Sequence, residues 1–144
     1  MTMVCWVGVF TPKVPHSVTR VGYYDSMERD MDLCREILLA IEAAPFANMF
    51  DSIEVEGYSA EQIYYHIWLL YSARLLDAVD ASSMDGPRWH ARKMTMAGHE
   101  FLEMARNQGN WKKAKEFIVQ KGQTLSIESL KLVLPLILKH ALGL

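Results

Sequence analysis

The stretch from Tyr58 to Leu102 leaves this chain few ways to fold, because its hydrophobic period changes and then changes back. From Ser59 to Tyr71 the apolar residues Ile63, Ile67, Leu70 and Tyr71 recur three and four apart, the stripe of a helix. Ser59 precedes the run and Gln62 sits three residues later, the spacing of a capping box. Ala73-Arg74 interrupts the stripe, and Leu75 to Val79 alternates loosely as a short strand. Ser82 to Pro87, with Asp85-Gly86-Pro87 inside it, is a turn by composition. Arg92-Lys93-Met94-Thr95 resumes extended chain, and another helix is predicted from about Thr95, with Ala97, Phe101, Leu102 and Ala105 as its apolar residues.

Upstream, Leu33, Ile37, Leu38 and Ile41 recur at helical spacing between Asp30 and Ala44, with acidic residues crowding the first turn. Asp30 or Asp32 can cap this helix and Pro45 stops it; its apolar face is expected to pack on the helix that begins near Ser59. Between the two, Ile53-Glu54-Val55-Glu56 alternates with period two and predicts a third strand. Downstream, Asn107 to Asn110 punctuates the chain, Trp111 to Lys121 is helical, and Gly122 is a natural C-terminal cap. The last helix runs from a Ser126 cap to Leu142, with Leu130, Val133, Leu134, Ile137, Leu138, Ala141 and Leu142 as its stripe. Pro135 inside it predicts a kink or a division into two pieces.

Helix, short strand, helix, two-stranded ribbon and helix is the order of a winged helix, so the expected fold is α+β, mainly α, and winged-helix-like. Residues 27–106 would form that domain, and 107–144 a C-terminal helical extension packed on it or on a partner. The segment 1–26 has a different texture: Val4 to Phe10 is apolar but too short to span a bilayer, and Pro12 and Pro15 break regular structure. It reads as a loosely ordered extension, with Met27 as the expected natural start. Tyr65-His66-Ile67-Trp68-Leu69-Leu70 through Leu75-Leu76-Asp77 is similar to the boundary between recognition helix and first wing strand in winged-helix regulators. Those families often carry glycine where this chain has Arg74. The connection from Pro45 to Gly57 leaves room for at most one helical turn, so the usual helix-turn-helix is truncated.

Charge narrows the function. The net charge is −2, with 51% hydrophobic and 22% charged residues, which fits a globular chain without the basic excess of a non-specific nucleic-acid binder. Cys5 and Cys34 lie far apart with no partner motif, consistent with free thiols in a reducing cytoplasm. Among His16, His66, His90, His99 and His140 no pair has ligand spacing, and His99-Glu100 lacks the second histidine of a helical zinc motif. There is no phosphate-binding glycine loop, nucleophile elbow or dinucleotide fingerprint. Asp77, Asp80 and Asp85 read as solvated strand ends and loop. The expectation is a cytoplasmic non-enzyme without metal or cofactor, and without a membrane partner.

A family resemblance adds context. Met27-Glu28-Arg29-Asp30-Met31-Asp32-Leu33 with Ile37-Leu38, Ile53-Glu54-Val55-Glu56-Gly57-Tyr58, Tyr65-His66-Ile67 with Leu69-Leu70, and Met94 through Leu102 resemble an uncharacterised phage and prophage family, domain of unknown function 2513. The terminal Leu142-Gly143-Leu144 resembles it too. The resemblance covers most of 27–144 and implies a bacterial, mobile-element, cytoplasmic setting. It implies no activity.

The nucleic-acid candidates are Arg88, Trp89, His90, Arg92 and Lys93 in and after the wing loop. Ser59, Gln62 and Tyr65 belong to the presumed recognition helix, where Glu61 would repel phosphate, and Lys112 and Lys113 with Lys115 form a second basic face. A continuous positive strip from Arg88 to Lys115 would favour DNA. Two functions follow: a winged-helix accessory or transcriptional regulator that binds duplex DNA, or the same scaffold turned to binding a host or phage protein in phage–host conflict. Leu132 and Leu136 fall off the main stripe of the last helix, which predicts a homodimer with Leu130, Leu132, Leu136 and Ile137 at its interface, Pro135 setting the crossing, and helix 30–44 covering the other side.

Overall fold

The computed structural model describes residues 27–144 except 46–49 and 51; the expected extension 1–26 lies outside the described residues. Helix α1, Met31–Ala43, begins where the Asp30 carboxylate accepts the backbone N–H groups of Asp32 and Leu33 at 2.8 and 3.2 Å. It buries Leu33, Cys34, Ile37, Leu38 and Ile41. Helix α2, Ala60–Ser72, starts on a complete capping box: the Gln62 N–H donates to Ser59 Oγ at 3.2 Å, and the Ser59 N–H donates to Gln62 Oε1 at 3.0 Å.

Three helices end in the same left-handed corner, and one of the corners is unusual. After α2 the Leu75 N–H reaches the Leu70 carbonyl and the Arg74 N–H the Tyr71 carbonyl, with Arg74 at φ +64°. After α4, Gln108–Gln120, Gly122 holds that position, and after α5, Ile127–Ala141, Gly143 does. A side chain in this conformation costs roughly 1 kcal/mol that glycine avoids. The corner after α2 has the hydrogen bonds of the two glycine corners, built on arginine.

The chain leaves Arg74 directly into a hairpin. Strand β1, Leu76–Asp80, pairs antiparallel with β2, Trp89–Met94, placing Leu76 opposite Met94, Ala78 opposite Ala91 and Asp80 opposite Trp89. Between Asp77–Lys93 and Ala78–Ala91 the register slips, so Arg92 is the extra residue of a β-bulge. The tip closes on its own hydrogen bonds, Ser83 with Gly86 in both directions and Ala81 N–H to Arg88 O. Helix α3, Met96–Ala105, follows at once, capped by Thr95, whose hydroxyl accepts the Gly98 N–H and donates to the Arg74 carbonyl.

The core is continuous. Helix α1 packs on α2 and α3, the hairpin on α2 and α1, and the α4–α5 pair on α3. Phe101 meets Trp111 edge to face at 6.3 Å, both fully buried. Three expectations are corrected. Ile53 to Glu56 is not a strand: the Phe50 N–H already meets β2 at the Ala91 carbonyl, and the chain then turns at Glu56-Gly57, with Gly57 at φ +91°. The alternation there reflects half-burial of Ile53 and Val55 on one side of an irregular segment. Of the two outcomes expected at Pro135, a kink or a division, the division does not occur: α5 runs unbroken from Ile127 to Ala141. The cover of α5 comes from α4 and α3. What is observed is a mainly helical α+β chain of five helices and one two-stranded hairpin among the described residues.

Candidate nucleic-acid interface

Helix α2 lies across the start of β2, and that crossing brings Arg88, Trp89 and His90 of the candidate residues onto α2, which carries Tyr65. On the side of α2 away from the core stand Glu61, Tyr64, Tyr65, Trp68, Tyr71 and Ser72. Trp68 and Tyr71 remain 39% and 42% exposed. Tyr71, whose spacing fits the apolar stripe of the helix, belongs to this outer face instead. Tyr71 lies against Trp89 at 5.4 Å between ring centroids, and Tyr64 meets His90 edge-on at 6.1 Å. Tyr65 touches both His66 and Trp68 at 5.7 Å. The Arg88 guanidinium sits 5.9 Å over the Tyr64 ring.

The bulge decides where the other hairpin cations go. Ala91 and Met94 both face the core, so the two residues between them, Arg92 and Lys93, are both exposed. Arg92 pairs with Asp77 at 3.7 Å, an exposed contact of little energetic weight. Ser59 and Gln62 form the capping box that their spacing predicts, which occupies their polar groups, and Gln62 is buried. The strip from Arg88 to Lys115 that would favour DNA is interrupted, because Lys115 turns to the Asp32 carboxylate of α1 at 2.6 Å. Lys112 and Lys113 are exposed on α4, which packs on α5 and α3 rather than joining the α2–hairpin face. Of the predicted oligomer contacts, Leu130 is fully buried in its own chain; Leu132 and Leu136 are 74% and 58% exposed, and Ile137 is half-buried.

A second polar cluster joins the start of α1 to α2. His66 is 1% exposed, and both its ring nitrogens are engaged. The Asp30 N–H donates to Nε2 at 2.8 Å, which leaves the ring proton on Nδ1, directed at the Gln62 carbonyl at 2.8 Å. Tyr58 donates its hydroxyl to the other Asp30 carboxylate oxygen at 2.8 Å, and burial followed by that bond raises the phenol above its usual range. Burial lowers the His66 pKa, against the raising influence of the Gln62 carbonyl and the Asp30 carboxylate. Below about pH 6.5 the unfolded chain takes a proton that folded His66 resists. Stability present above that pH is therefore lost as pH falls through the lowered value. The urea midpoint is expected to drop between pH 7.5 and 5.5, and more steeply in the wild type than in His66→Gln; equal slopes would refute the assignment.

Sequence reasoning missed Arg35, which is buried on α1 and donates from Nε and Nη2 to the carbonyls of Ala105 and Arg106, both at 2.7 Å. It also missed the Trp111 indole N–H on Asp32 at 2.7 Å. The aromatic face did leave a signal, since Tyr64, Trp68 and Tyr71 are spaced four and three apart. Cys34 is buried, with burial pushing its thiol up to about 12, so it is an inert core residue. Among the described residues, no group of three or more His, Cys, Asp or Glu is placed to hold a metal ion. No helix among them is long and apolar enough to cross a membrane.

No solved structure matches this chain. An uncharacterized protein of Haemophilus influenzae (strain Rd) is 36% identical over 120 residues, covering 81% of this chain and all of the relative. The family described as hypothetical protein DUF2513 matches residues 28–124, a span that includes α1, the capping box, the hairpin, α3 and α4. By that match and that relative, the chain belongs to the DUF2513 family.

Proposed function

We propose that this protein is a non-enzymatic nucleic-acid-binding accessory or regulator, working through a winged-helix-like α2–hairpin face. The observation that carries the reading is the position of Arg88 and of the bulged Arg92-Lys93 pair, exposed on a hairpin that crosses α2. Cations on a hairpin beside a helix can clamp phosphates and set the orientation of a strand. With Ser59 and Gln62 held in the cap and Glu61 in the first turn, the cations of the hairpin supply the electrostatic part. The family resemblance gives the proposal its phage or prophage and cytoplasmic setting. Arg88→Ala, Arg92→Ala and Lys93→Ala together should weaken binding to any duplex sequence and flatten its salt dependence by about 0.9 in log–log slope per lost phosphate contact. A wild-type protein that shows no salt-dependent retention on duplex DNA at low ionic strength would end the duplex reading.

A second reading, a protein-binding scaffold that self-associates, is favoured by a different observation. Leu132 and Leu136 stand one turn apart on α5 and are largely exposed. A two-fold copy of α5 is the simplest cover, with Pro135 between the two leucines at the crossing and Ile137 beside them. Leu132→Lys with Leu136→Lys is expected to convert a dimer into a folded monomer. Light scattering that finds the wild type monomeric at tens of micromolar (about ten times a micromolar dissociation constant) would exclude that dimer.

A further inference from the structure

We infer that the outer face of α2 is a stacking platform for single-stranded nucleic acid, a step that rests on the nucleic-acid reading above and names the form of the ligand. Of the eight residues of α2 that are exposed or half-buried, four are aromatic: Tyr64 and Tyr65, half-buried, and Trp68 and Tyr71, exposed. A duplex hides the faces of its bases and offers edges and phosphates, so flat rings on a reading helix have little to grip. A single strand offers the faces, and each base that stacks on an exposed ring gains affinity with little regard to sequence.

The rings are held as such a platform requires. Trp68 is backed by Tyr65 at an interplanar angle of 34°, and Tyr71 by Trp89 at 36°, while Trp68 and Tyr71 keep solvent exposure. Backing one side of a ring fixes its orientation before the ligand arrives. Cations bracket the row. Arg88 stands over Tyr64 near the start of α2, and exposed Arg74 occupies the corner just past its end. Arg74 holds a left-handed conformation that Gly122 and Gly143 hold at the two matching corners. Glu61, at the N-terminal edge of the face, disfavours phosphate there and leaves the hairpin side for the backbone. Arg88 and Arg74 give an anionic strand a partner at either end of the row, with Glu61, Glu54 and Glu56 confined to the N-terminal side beside Tyr64.

The test compares a fluorescein-labelled oligothymidylate with a duplex carrying the same number of phosphates, by anisotropy at low salt. The single strand is expected to bind more tightly and to quench tryptophan emission. Trp68→Ala should weaken single-strand binding about tenfold, and by more than it weakens duplex binding. Trp68→Phe, which keeps a ring, should retain most of the affinity, and Arg74→Gly should lower the salt slope for the single strand by about 0.7. Trp68 is exposed, so circular dichroism of Trp68→Ala should match that of the wild type. Salt-dependent duplex binding with no preference for the single strand, or no loss in Trp68→Ala, overturns the platform and leaves the nucleic-acid reading standing. Binding to neither ligand removes both and turns the aromatic face over to a protein partner.

Discussion

Gly98→Ala is expected to cost about 3 kcal/mol or more, a large share of the stability of a domain this size. Gly98 lies in the first turn of α3 with its backbone pressed against the end of the α2 corner. A β-carbon there would overlap the Leu75 carbonyl oxygen and lie 2.9 Å from the Leu75 carbonyl carbon and 2.6 Å from Met94 Cγ. The Met94 side chain can swing aside; the carbonyl cannot. Leu75 O accepts the Thr95 N–H at 3.0 Å, and Thr95 in turn caps α3 and donates to Arg74 O at 2.8 Å. Moving α3 away breaks this set together, because the same few residues join the end of α2, the root of the hairpin and the start of α3. Chemical denaturation should show a lower midpoint at unchanged m-value. A loss below about 0.5 kcal/mol, the range of a neutral surface change, would show that the approach is looser than described.

Arg35→Met is expected to cost about 3 kcal/mol by removing the charge that terminates α3. Helix α3 has no basic residue in its own last turn, and its final carbonyls need donors. The Arg35 guanidinium supplies them from α1, with bonds of 2.7 Å to both Ala105 O and Arg106 O while lying 5.8 Å over the Trp111 ring. Glu36 accepts a further bond from it at 3.2 Å. Methionine fills much of the volume but donates nothing, which leaves the Ala105 carbonyl stranded in the core. Arg35→Lys should recover only part of the loss, because an ammonium cannot fork to two carbonyls in one plane. Equal stabilities for Arg35→Lys and the wild type would argue against a forked cap.

The helices and hairpin were legible because each is specified by residues close together in sequence. Ser59 with Gln62, Asp30 ahead of Leu33, Ser126 ahead of Leu130 and the Asp85-Gly86 turn each determine a boundary within a few residues. What was misread depends on partners far away. Ile53 and Val55 alternate like a strand, yet whether they pair depends on where Phe50 meets Ala91. Arg35 looks like an exposed helix residue until α3 ends beside it, seventy residues later by its bond to Ala105. For the candidate site, the cations of the wing were readable and the aromatic character of α2 was only half so. Tyrosine and tryptophan serve a core and a binding face with the same spacing, and only the packing of α2 separates Ile63, Ile67 and Leu70 from Tyr64, Trp68 and Tyr71.

The bulge in β2 bears on how this hairpin tolerates changes of length. Along β1 the burial alternates from Leu76 to Val79, and β2 carries the supernumerary residue. Remove Arg92 and the ladder becomes regular: Ala91 and Met94 still point inward, Lys93 still points outward, and Trp89 and His90 keep their places against α2. Remove Ala91 or Met94 instead and an inward position is lost. The fold can therefore gain or shed one solvent-facing charge at this single point without turning over any other side chain. In terms of variation, the cation count of the hairpin is uncoupled from the parity of the strand that carries it.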